Sequence, residues 1–503
     1  QQPPISASGY SSQAINPHFA HTVRKTETRV CSDCHLDENG DNNAIMAQTL
    51  GYGTDFIDFI GYHAYVGGEG SVEAVQVTEW DEPQAVIGSY LHKYAYPTDF
   101  ANHKARDEKL ETGYSHGAGT ASCLQLRGEY LFAAEGDRGL VVYDVASIAN
   151  KGVSQRIITA PASSLGQDTQ IKSANATCLS LQTTQPIAPE RNQGDLMRIV
   201  NQEKAFHPLY NYALITDSEE GLILTNIDTL ADGEPRNNFL ERALTWNEGG
   251  VLTGARDISV GGHFAYIVVE DGVAIIDLDE PLQPRHVKTI PMQAPRALVQ
   301  QFRFLFVTDA EGLKVIDITD PAVAFVVEGN TIPIKDAHKV FVARTYAYVA
   351  AGADGIYIVD VTQPQKMQLY QQFTDNIVDA RDIVVATTNA SLMAYVADGR
   401  AGLKVIQLTS PESQPRYYGF SPEPMPETIS SFATKRPAIA LSRGLERDRA
   451  VDETGGQVAV FSRVGAGPLS ESDMRSLYLN EDGKPWFVTD KMPTKPILVM
   501  EKQ

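Results

Sequence analysis

The clearest pattern in the chain is a pair of apolar strands joined by an acidic turn that contains glycine. The second strand follows the order apolar, any, apolar, apolar, usually Asp, apolar, as in residues 313–318. The pattern recurs seven times, and recurrence at this scale indicates a repeat architecture. The turn glycines of the seven copies are Gly70, Gly139, Gly221, Gly272, Gly312, Gly355 and Gly402.

The later copies are spaced by 40 to 51 residues, which is the length of a four-stranded propeller blade. Two earlier intervals are longer, and we assign the excess to insertions at 91–119 and 181–208. An extended segment before each pair and another after its Asp-Pro, Glu-Pro or Gln-Pro turn supply the remaining strands. The predicted fold is an all-β, seven-bladed β-propeller over 55–425. A barrel or sandwich is the alternative, because strand patterns do not determine closure.

Residues 1–54 lack this periodicity and contain the motif Cys31-Ser32-Asp33-Cys34-His35. Two thiols three positions apart, followed directly by an imidazole, suit thioether attachment of haem c, with His35 as the proximal iron ligand. A structural zinc site or a redox dithiol is the alternative. Zinc requires two more ligands at paired spacing, however, and the other cysteines, Cys123 and Cys178, are single and far apart.

The sixth iron ligand is expected close to the motif, because this segment is too short to form a core without its haem. His21 is the first candidate, since it lies ten positions before Cys31, enough chain to reach the opposite haem face. His18 is the second candidate, and Met46 or an open position is the third. The unused histidine is either exposed to solvent or a ligand to a haem of a neighbouring subunit or of an upstream segment.

The composition narrows the class of partner. The 503 residues carry a formal net charge of −21, which opposes binding to nucleic acid or to anionic membranes. No apolar run approaches the ~18 residues of a membrane-spanning helix. Covalent haem attachment of this kind follows export, so we expect the chain to be a mature form or a fragment of an exported precursor.

The repeats resemble the LVIVD-type propeller repeat, most closely at 313–317 and 356–360. Together with Cys31–His35, the chain is similar to bacterial multihaem cytochromes that carry such a propeller at the C-terminus. The resemblance extends from about residue 16 to about residue 490 and implies export, bis-histidine haem and a role in electron transfer. The chain departs from these relatives in having one CxxCH motif where they usually have several.

Aligning the predicted innermost strands places four cationic residues at equivalent positions. Inner strands line the channel of a propeller, so these side chains are a candidate anion site. The alternative is that they form structural ion pairs with Asp257, Asp336, Asp379 and Asp382. The four residues are Arg256, Arg296, His338 and Arg381.

Cys123 and Cys178 also occupy equivalent positions, on the inner strands of the second and third repeats. A disulfide between them is one expectation for an exported protein, and two buried thiols are the other. In 426–503, the segment 456–461 is a candidate strand to close the ring, and the remainder is expected to wrap the surface. The other histidines show no ligand spacing.

The sequence therefore predicts an exported electron-transfer protein, periplasmic or at the cell surface. It holds one haem c, and its propeller is a scaffold and docking surface for other c-type cytochromes in an oligomer or filament. Two alternatives are open. One is an oxidoreductase that binds an anionic substrate in the propeller channel, and the other is a structural module of a cytochrome assembly.

Overall fold

The structure is a computed structural model. It describes residues 62–80, 85–127, 130–145, 148, 158–159, 169–182, 195, 199–200, 205–232, 237–387, 391–410, 421–443, 462–464 and 466–484. These residues form an all-β propeller, in agreement with the predicted fold class. The haem motif and the rest of the predicted N-terminal segment lie outside the described residues.

The strands group into seven blades, numbered 1 to 7 in chain order. Blades 1 and 2 share one sheet, because Ala438–Arg443 also pairs in parallel with Cys123–Arg127. From the inside outward, blade 1 consists of Ala438–Arg443, His63–Gln76 and Gly113–Thr120. Blade 2 consists of Cys123–Arg127, Tyr130–Ala134, Leu140–Asp144 and the short pair Ile158–Thr159 and Gln170–Ile171. Blade 3 consists of Ala176–Ser180, Tyr212–Asp217, Gly221–Asn226 and Glu241–Trp246. Blade 4 consists of Asp257–Gly261, Phe264–Val269, Gly272–Asp277 and Arg285–Pro291, and blade 5 of Ala297–Gln301, Phe304–Thr308, Gly312–Asp317 and the short pair Phe325–Val326 and Ile332–Pro333. Blade 6 consists of Val340–Ala343, Tyr346–Ala350, Ile356–Asp360 and Gln368–Phe373. Blade 7 consists of Asp382–Thr387, Leu392–Ala397, Leu403–Thr409 and Glu427–Phe432.

The innermost strands contact one another in cyclic order, from blade 1 round to blade 7 and back to blade 1. Blade 1 closes the ring because it combines both ends of the propeller. The strand Ala438–Arg443 pairs with Val66–Gly68 of His63–Gln76, whose second half pairs with Gly113–Thr120. Glu69 and Gly70, between the two halves, are exposed, as expected of a turn.

Two sequence predictions need correction here. The closing strand is Ala438–Arg443, whereas the predicted closing segment 456–461 lies outside the described residues. The propeller therefore extends to Arg443, and the predicted boundary at residue 425 is too early. The closing strand has the sequence Ala-Ile-Ala-Leu-Ser-Arg. It was missed because no second strand of the repeat pattern follows it along the chain.

Short helices lie outside the sheets. Tyr90–Ala95 and Pro97–Ala105 fill the connection before the outer strand of blade 1, so the first insertion ends earlier than predicted. Single turns of 3₁₀ helix are Pro208–Asn211, Asp228–Leu230, Glu248–Gly250, Pro321–Val323 and Pro364–Lys366. None of the helices in the described ranges is long and apolar enough to span a membrane.

The described part of the C-terminal tail lies on blades 3 to 5. It consists of the hairpin Arg463–Val464 and Gly467–Pro468 and the helix Glu471–Tyr478. The backbone N–H of His207 donates to the carbonyl of Ala466 at 2.9 Å, and the Gln300 side chain donates to the Ser462 hydroxyl at 3.1 Å. These contacts bind the tail to the end of the propeller where the inner strands turn outward.

The repeat aspartates act at strand ends. The carboxylate of Asp277 accepts a hydrogen bond from the N–H two residues further on, at 2.9 Å. Asp317 and Asp360 make the same bond at 3.0 Å and 2.8 Å, and Asn226 replaces the carboxylate with its amide oxygen at 2.9 Å. Each side chain thus satisfies a backbone donor that leaves the ladder, which is a structural role.

Most of the turn glycines are required by a close approach of the outer strand, whereas a Cβ at Gly70 would meet nothing within 4 Å. Six of the seven have positive φ, and Gly272 is the exception. A Cβ at Gly272 would nevertheless lie 2.3 Å from the carbonyl oxygen of Ile290, and one at Gly355 would lie 2.2 Å from that of Phe373. The repeat keeps glycine here because the outer strand occupies the space of a side chain.

We predict that Gly355→Ala lowers the free energy of unfolding by about 2 kcal/mol, because φ is +79° and the new methyl group meets backbone. Gly117→Ala is the matched control, since a Cβ there meets nothing within 4 Å. Urea unfolding of both variants measures the difference. Equal stability of the two variants would contradict the steric account.

Candidate functional site

The predicted haem ligands stay a prediction. Cys31, Cys34, His35 and the candidate sixth ligands His21, His18 and Met46 all lie outside the described residues. The chain enters the described region at Tyr62, beside the first residue of strand His63–Gln76.

A cavity of about 500 Å³ opens at one end of the central channel. Three of the four cationic residues predicted from the repeat line it: Arg296 of blade 5, His338 of blade 6 and Arg381 of blade 7. Each precedes the innermost strand of its blade by one or two residues, so the propeller's symmetry brings them to the same end of the channel. The structure thus brings these three residues to one cavity, and the anion site itself stays a prediction.

Arg256, the fourth predicted member, does not line the cavity. It is exposed, and its Nε donates to the carbonyl oxygen of Gly254 at 3.2 Å. The other residues of the row belong to blades 5 to 7, whereas Arg256 belongs to blade 4. The cavity is thus off-centre, toward blades 5, 6, 7 and 1.

Asp336 joins Arg296 and His338. Its two oxygens lie 2.7 Å from Arg296 Nη1 and 3.1 Å from His338 Nε2. The hydrogen bond from Arg296 holds the pKa of Asp336 below its usual range, so this carboxyl is charged at neutral pH. Burial lowers the pKa of His338, so the imidazole is neutral and contributes hydrogen bonding rather than charge.

Arg381 completes the row. Its Nε lies 2.8 Å from Asp379 Oδ1, and its Nη1 lies 3.4 Å from His338 Nε2. The ion-pair alternative is therefore correct for Arg296 with Asp336 and for Arg381 with Asp379. It is wrong for Asp257, which pairs with Lys339, and Asp382 accepts backbone N–H groups of Ile383 and Leu441.

Three charged residues of the cavity were missed by sequence reasoning: Lys339, Arg400 and Glu69. Lys339 reaches from blade 6 to the buried carboxylate of Asp257 in blade 4, at 3.0 Å. Arg400 and Glu69 lie on the hairpins of blades 7 and 1. A repeat alignment of the hairpin tips, and not only of the inner strands, would have placed Arg400 and Glu69 at the channel end.

Comparison with known proteins identifies the repeat. The model of the LVIVD repeat matches residues 118–153, 254–288 and 334–375, which belong to blades 2, 4 and 6. The chain carries LVIVD repeats. No curated protein matches it.

Solved structures similar to this chain are distant in sequence. A Lactobacillus plantarum protein is 9% identical, with 76% of this chain and 98% of that chain covered and a TM-score of 0.47. A putative 6-phosphogluconolactonase from Bacteroides fragilis is 10% identical, covering 76% and 97% at a TM-score of 0.46. The periplasmic gluconolactonase of Pseudomonas aeruginosa is 11% identical, covering 74% and 97% at 0.43. These values are too low to transfer a function.

Cys123, in the first matched LVIVD repeat, forms a disulfide with Cys178. The Cα atoms are 4.8 Å apart, and both residues are buried on inner strands. The sequence left this pairing open against two free thiols. The bond joins blades 2 and 3 across their narrowest separation, where adjacent inner strands meet.

The disulfide occupies a position that other blades fill with a hydrogen bond. Cys123 Sγ lies 3.4 Å from the N–H of Leu179, whereas Asp257 accepts from Leu298 N–H at 3.0 Å and Asp382 from Leu441 N–H at 2.8 Å. Each acceptor lies on one inner strand and each donor on the next. Between blades 2 and 3, a disulfide therefore takes the position at which blades 4 and 7 use an aspartate hydrogen bond to the next blade.

The remaining histidines of the described region serve packing or face solvent. His92 is buried and lies 2.7 Å from Glu79, and His103 Nε2 lies 2.8 Å from the carbonyl oxygen of Ile429. His63 packs among aromatic rings, including Trp80 and Tyr114, and its buried Nε2 has no hydrogen-bond partner in the described residues. Burial lowers the pKa of His63 to about 4.

We predict that replacing both cysteines, Cys123→Ser with Cys178→Ser, lowers the free energy of unfolding by about 4 kcal/mol. The bond closes a loop with a sequence separation of 55, and its loss restores that loop's entropy to the unfolded chain. Urea midpoints measure the loss. In the presence of dithiothreitol, the urea midpoint of the wild type should approach that of the variant, whereas the midpoint of the variant should not change. A wild-type midpoint that does not change with dithiothreitol would contradict the stabilising role of the disulfide.

We also predict a stability loss on acidification that depends on His63. Its folded pKa of about 4 lies below the ordinary histidine pKa of 6.5, so the unfolded state binds more protons between these values. The contribution is present above pH 6.5 and is lost as the pH falls toward 4, by about 3 kcal/mol in total.

His63→Phe should show a shallower decline than wild type in urea unfolding across this pH window. His286→Phe is the control, because His286 is exposed. Parallel pH profiles for wild type and His63→Phe would contradict the assignment.

Proposed function

We propose that the protein is a c-type cytochrome in which one covalently bound haem is joined to a seven-bladed LVIVD propeller. The motif Cys31-Ser32-Asp33-Cys34-His35 is the observation that carries the proposal. Its two thiols and one imidazole are the donor set that attaches haem c and provides its proximal ligand. A haem held there supplies one-electron redox chemistry.

The residues around the motif support electron transfer rather than catalysis at iron. His21 is the proposed sixth ligand, and His18 and then Met46 are the alternatives. With His35 and His21 both bound, the iron has no position for substrate, so outer-sphere transfer to a neighbouring haem is the available reaction.

The disulfide between Cys123 and Cys178 supports export. Disulfides persist in oxidising compartments and are rare in the cytosol. This one is buried, and it lies within the propeller rather than at its margin. An exported protein, periplasmic or at the cell surface, is consistent with covalent haem attachment after translocation.

The propeller is proposed to be the scaffold and the docking surface for other haem-bearing chains. The cavity and the point where the chain enters the propeller lie at opposite ends of one strand. Glu69 lines the cavity, and His63 lies six residues before it, about 20 Å away in an extended strand.

The cavity supports the alternative function, an oxidoreductase that binds an anionic substrate in the channel. The observation in its favour is the convergence of Arg296, His338 and Arg381. It requires the haem to react with a group in the cavity, whereas the electron-transfer function requires only the haem and its ligands.

We predict that His21→Ala converts the haem from low spin to high spin, because it removes the sixth ligand. Electron paramagnetic resonance and optical spectra of the purified full chain measure the spin state, and mass spectrometry should find one covalent haem per chain. His18→Ala and Met46→Ala are matched controls and should leave a low-spin haem.

The spectra distinguish two failures. A high-spin spectrum in His18→Ala but not in His21→Ala would make His18 the ligand and preserve the cytochrome proposal. A purified full chain without covalent haem, produced in a host that matures c-type cytochromes, would overturn it.

A further inference from the structure

We propose that the cavity at the channel end is a binding site for a small organic carboxylate, with Arg296, Arg381 and Arg400 as its donors. The inference rests on the geometry of blades 5 to 7 and does not depend on the haem.

The guanidinium groups of the cavity retain unused donors. Arg296 uses Nη1, which donates to Asp336 at 2.7 Å and to the carbonyl oxygen of Ala337 at 2.9 Å. Arg381 uses Nε for Asp379 and directs Nη1 toward His338. Within the described ranges, the Nη2 group of each arginine makes no hydrogen bond. The acidic partners therefore orient the two forks without saturating them.

One cation of the cavity, beside these forks, has no ion-pair partner among the described residues. Arg296 pairs with Asp336, Arg381 with Asp379, and Lys339 with Asp257. Arg400 is exposed on the cavity wall and forms no ion pair with any described residue. Glu69 is the opposing charge, and it lies on the blade 1 hairpin rather than on blades 5 to 7.

A carboxylate is the ligand class that fits these donors. Arginine presents a planar fork that matches the two oxygens of a carboxylate, and this cavity already holds Asp336 and Asp379 on its arginines. The volume of about 500 Å³ lies within the range of small-molecule sites and exceeds the need of a simple inorganic anion. The ligand is therefore an organic acid rather than a bare ion.

Because the net charge is −21, carboxylate binding has to come from cations close to the ligand and not from the charge of the whole protein. At long range the protein repels anions, so a carboxylate is retained only where cations concentrate. Arg256 tests this point, because it has the same charge and the same repeat position as Arg296 and Arg381 but lies outside the cavity. Removing its charge changes the long-range field equally without changing the site.

The experiment is isothermal titration of succinate into the full-length protein at low ionic strength, with sodium chloride at matched ionic strength as the blank. We expect saturable binding that Arg400→Gln weakens by about tenfold, because a direct charge-assisted contact is lost. Arg381→Gln should weaken it similarly. Arg256→Gln should leave the affinity unchanged, and Glu69→Gln should strengthen binding because it removes an opposing charge.

Arg400→Gln carries the test, because Arg400 forms no described ion pair and its loss leaves no acid unpaired. Arg381→Gln strands Asp379, so its thermal midpoint is measured alongside. Absence of saturable succinate binding by wild type would overturn the inference. Equal weakening by Arg256→Gln and Arg400→Gln would also overturn it, since it would show a field effect rather than a site.

Discussion

The structure depends on one constraint, the closure of the ring by a strand from the far end of the chain. Blade 1 takes its inner strand, Ala438–Arg443, from the C-terminal side and its remaining strands from the N-terminal side. Without this strand, His63–Gln76 of blade 1 and Cys123–Arg127 of blade 2 would each present an unpaired edge, and the channel would not be enclosed. The candidate site also depends on closure, because Pro437 and Glu69 of blade 1 line it together with Arg296 of blade 5.

Contacts between inner strands maintain the ring once it has closed. At the seams after blades 4 and 7, a buried aspartate accepts a backbone N–H of the next blade. At the seam after blade 2, Cys123 takes this position and bonds covalently to Cys178. Lys339 of blade 6 adds a longer connection, past blade 5, to Asp257 of blade 4. A buried charge pair of this kind is tolerated because each member has a partner.

The sequence was most informative where the repeat imposes the same physics on every blade. All seven predicted strand pairs are present. The pattern predicts them because the two strands of a pair meet at a glycine turn where, as at Gly355, the outer strand leaves no room for a side chain. Three of the four row residues converge as predicted. The closing strand escaped prediction because its partner lies more than 350 residues away. Arg400 and Lys339 were not predicted to line the cavity, because the position of one blade relative to the next decides which side chains share a cavity. The repeat spacing carries no information about that relative position.

We propose that the haem is an electron carrier and that the propeller attached to it has a separate ligand site. The most direct test is spectroelectrochemistry of the purified full chain, with and without carbon monoxide. If His35 and His21 both bind the iron, as proposed, we expect one reversible one-electron transition in the haem absorbance and no change in the reduced spectrum when carbon monoxide is added. A carbon monoxide complex of the reduced haem would contradict the electron-transfer function, and a chain without any haem absorbance would contradict the cytochrome assignment itself.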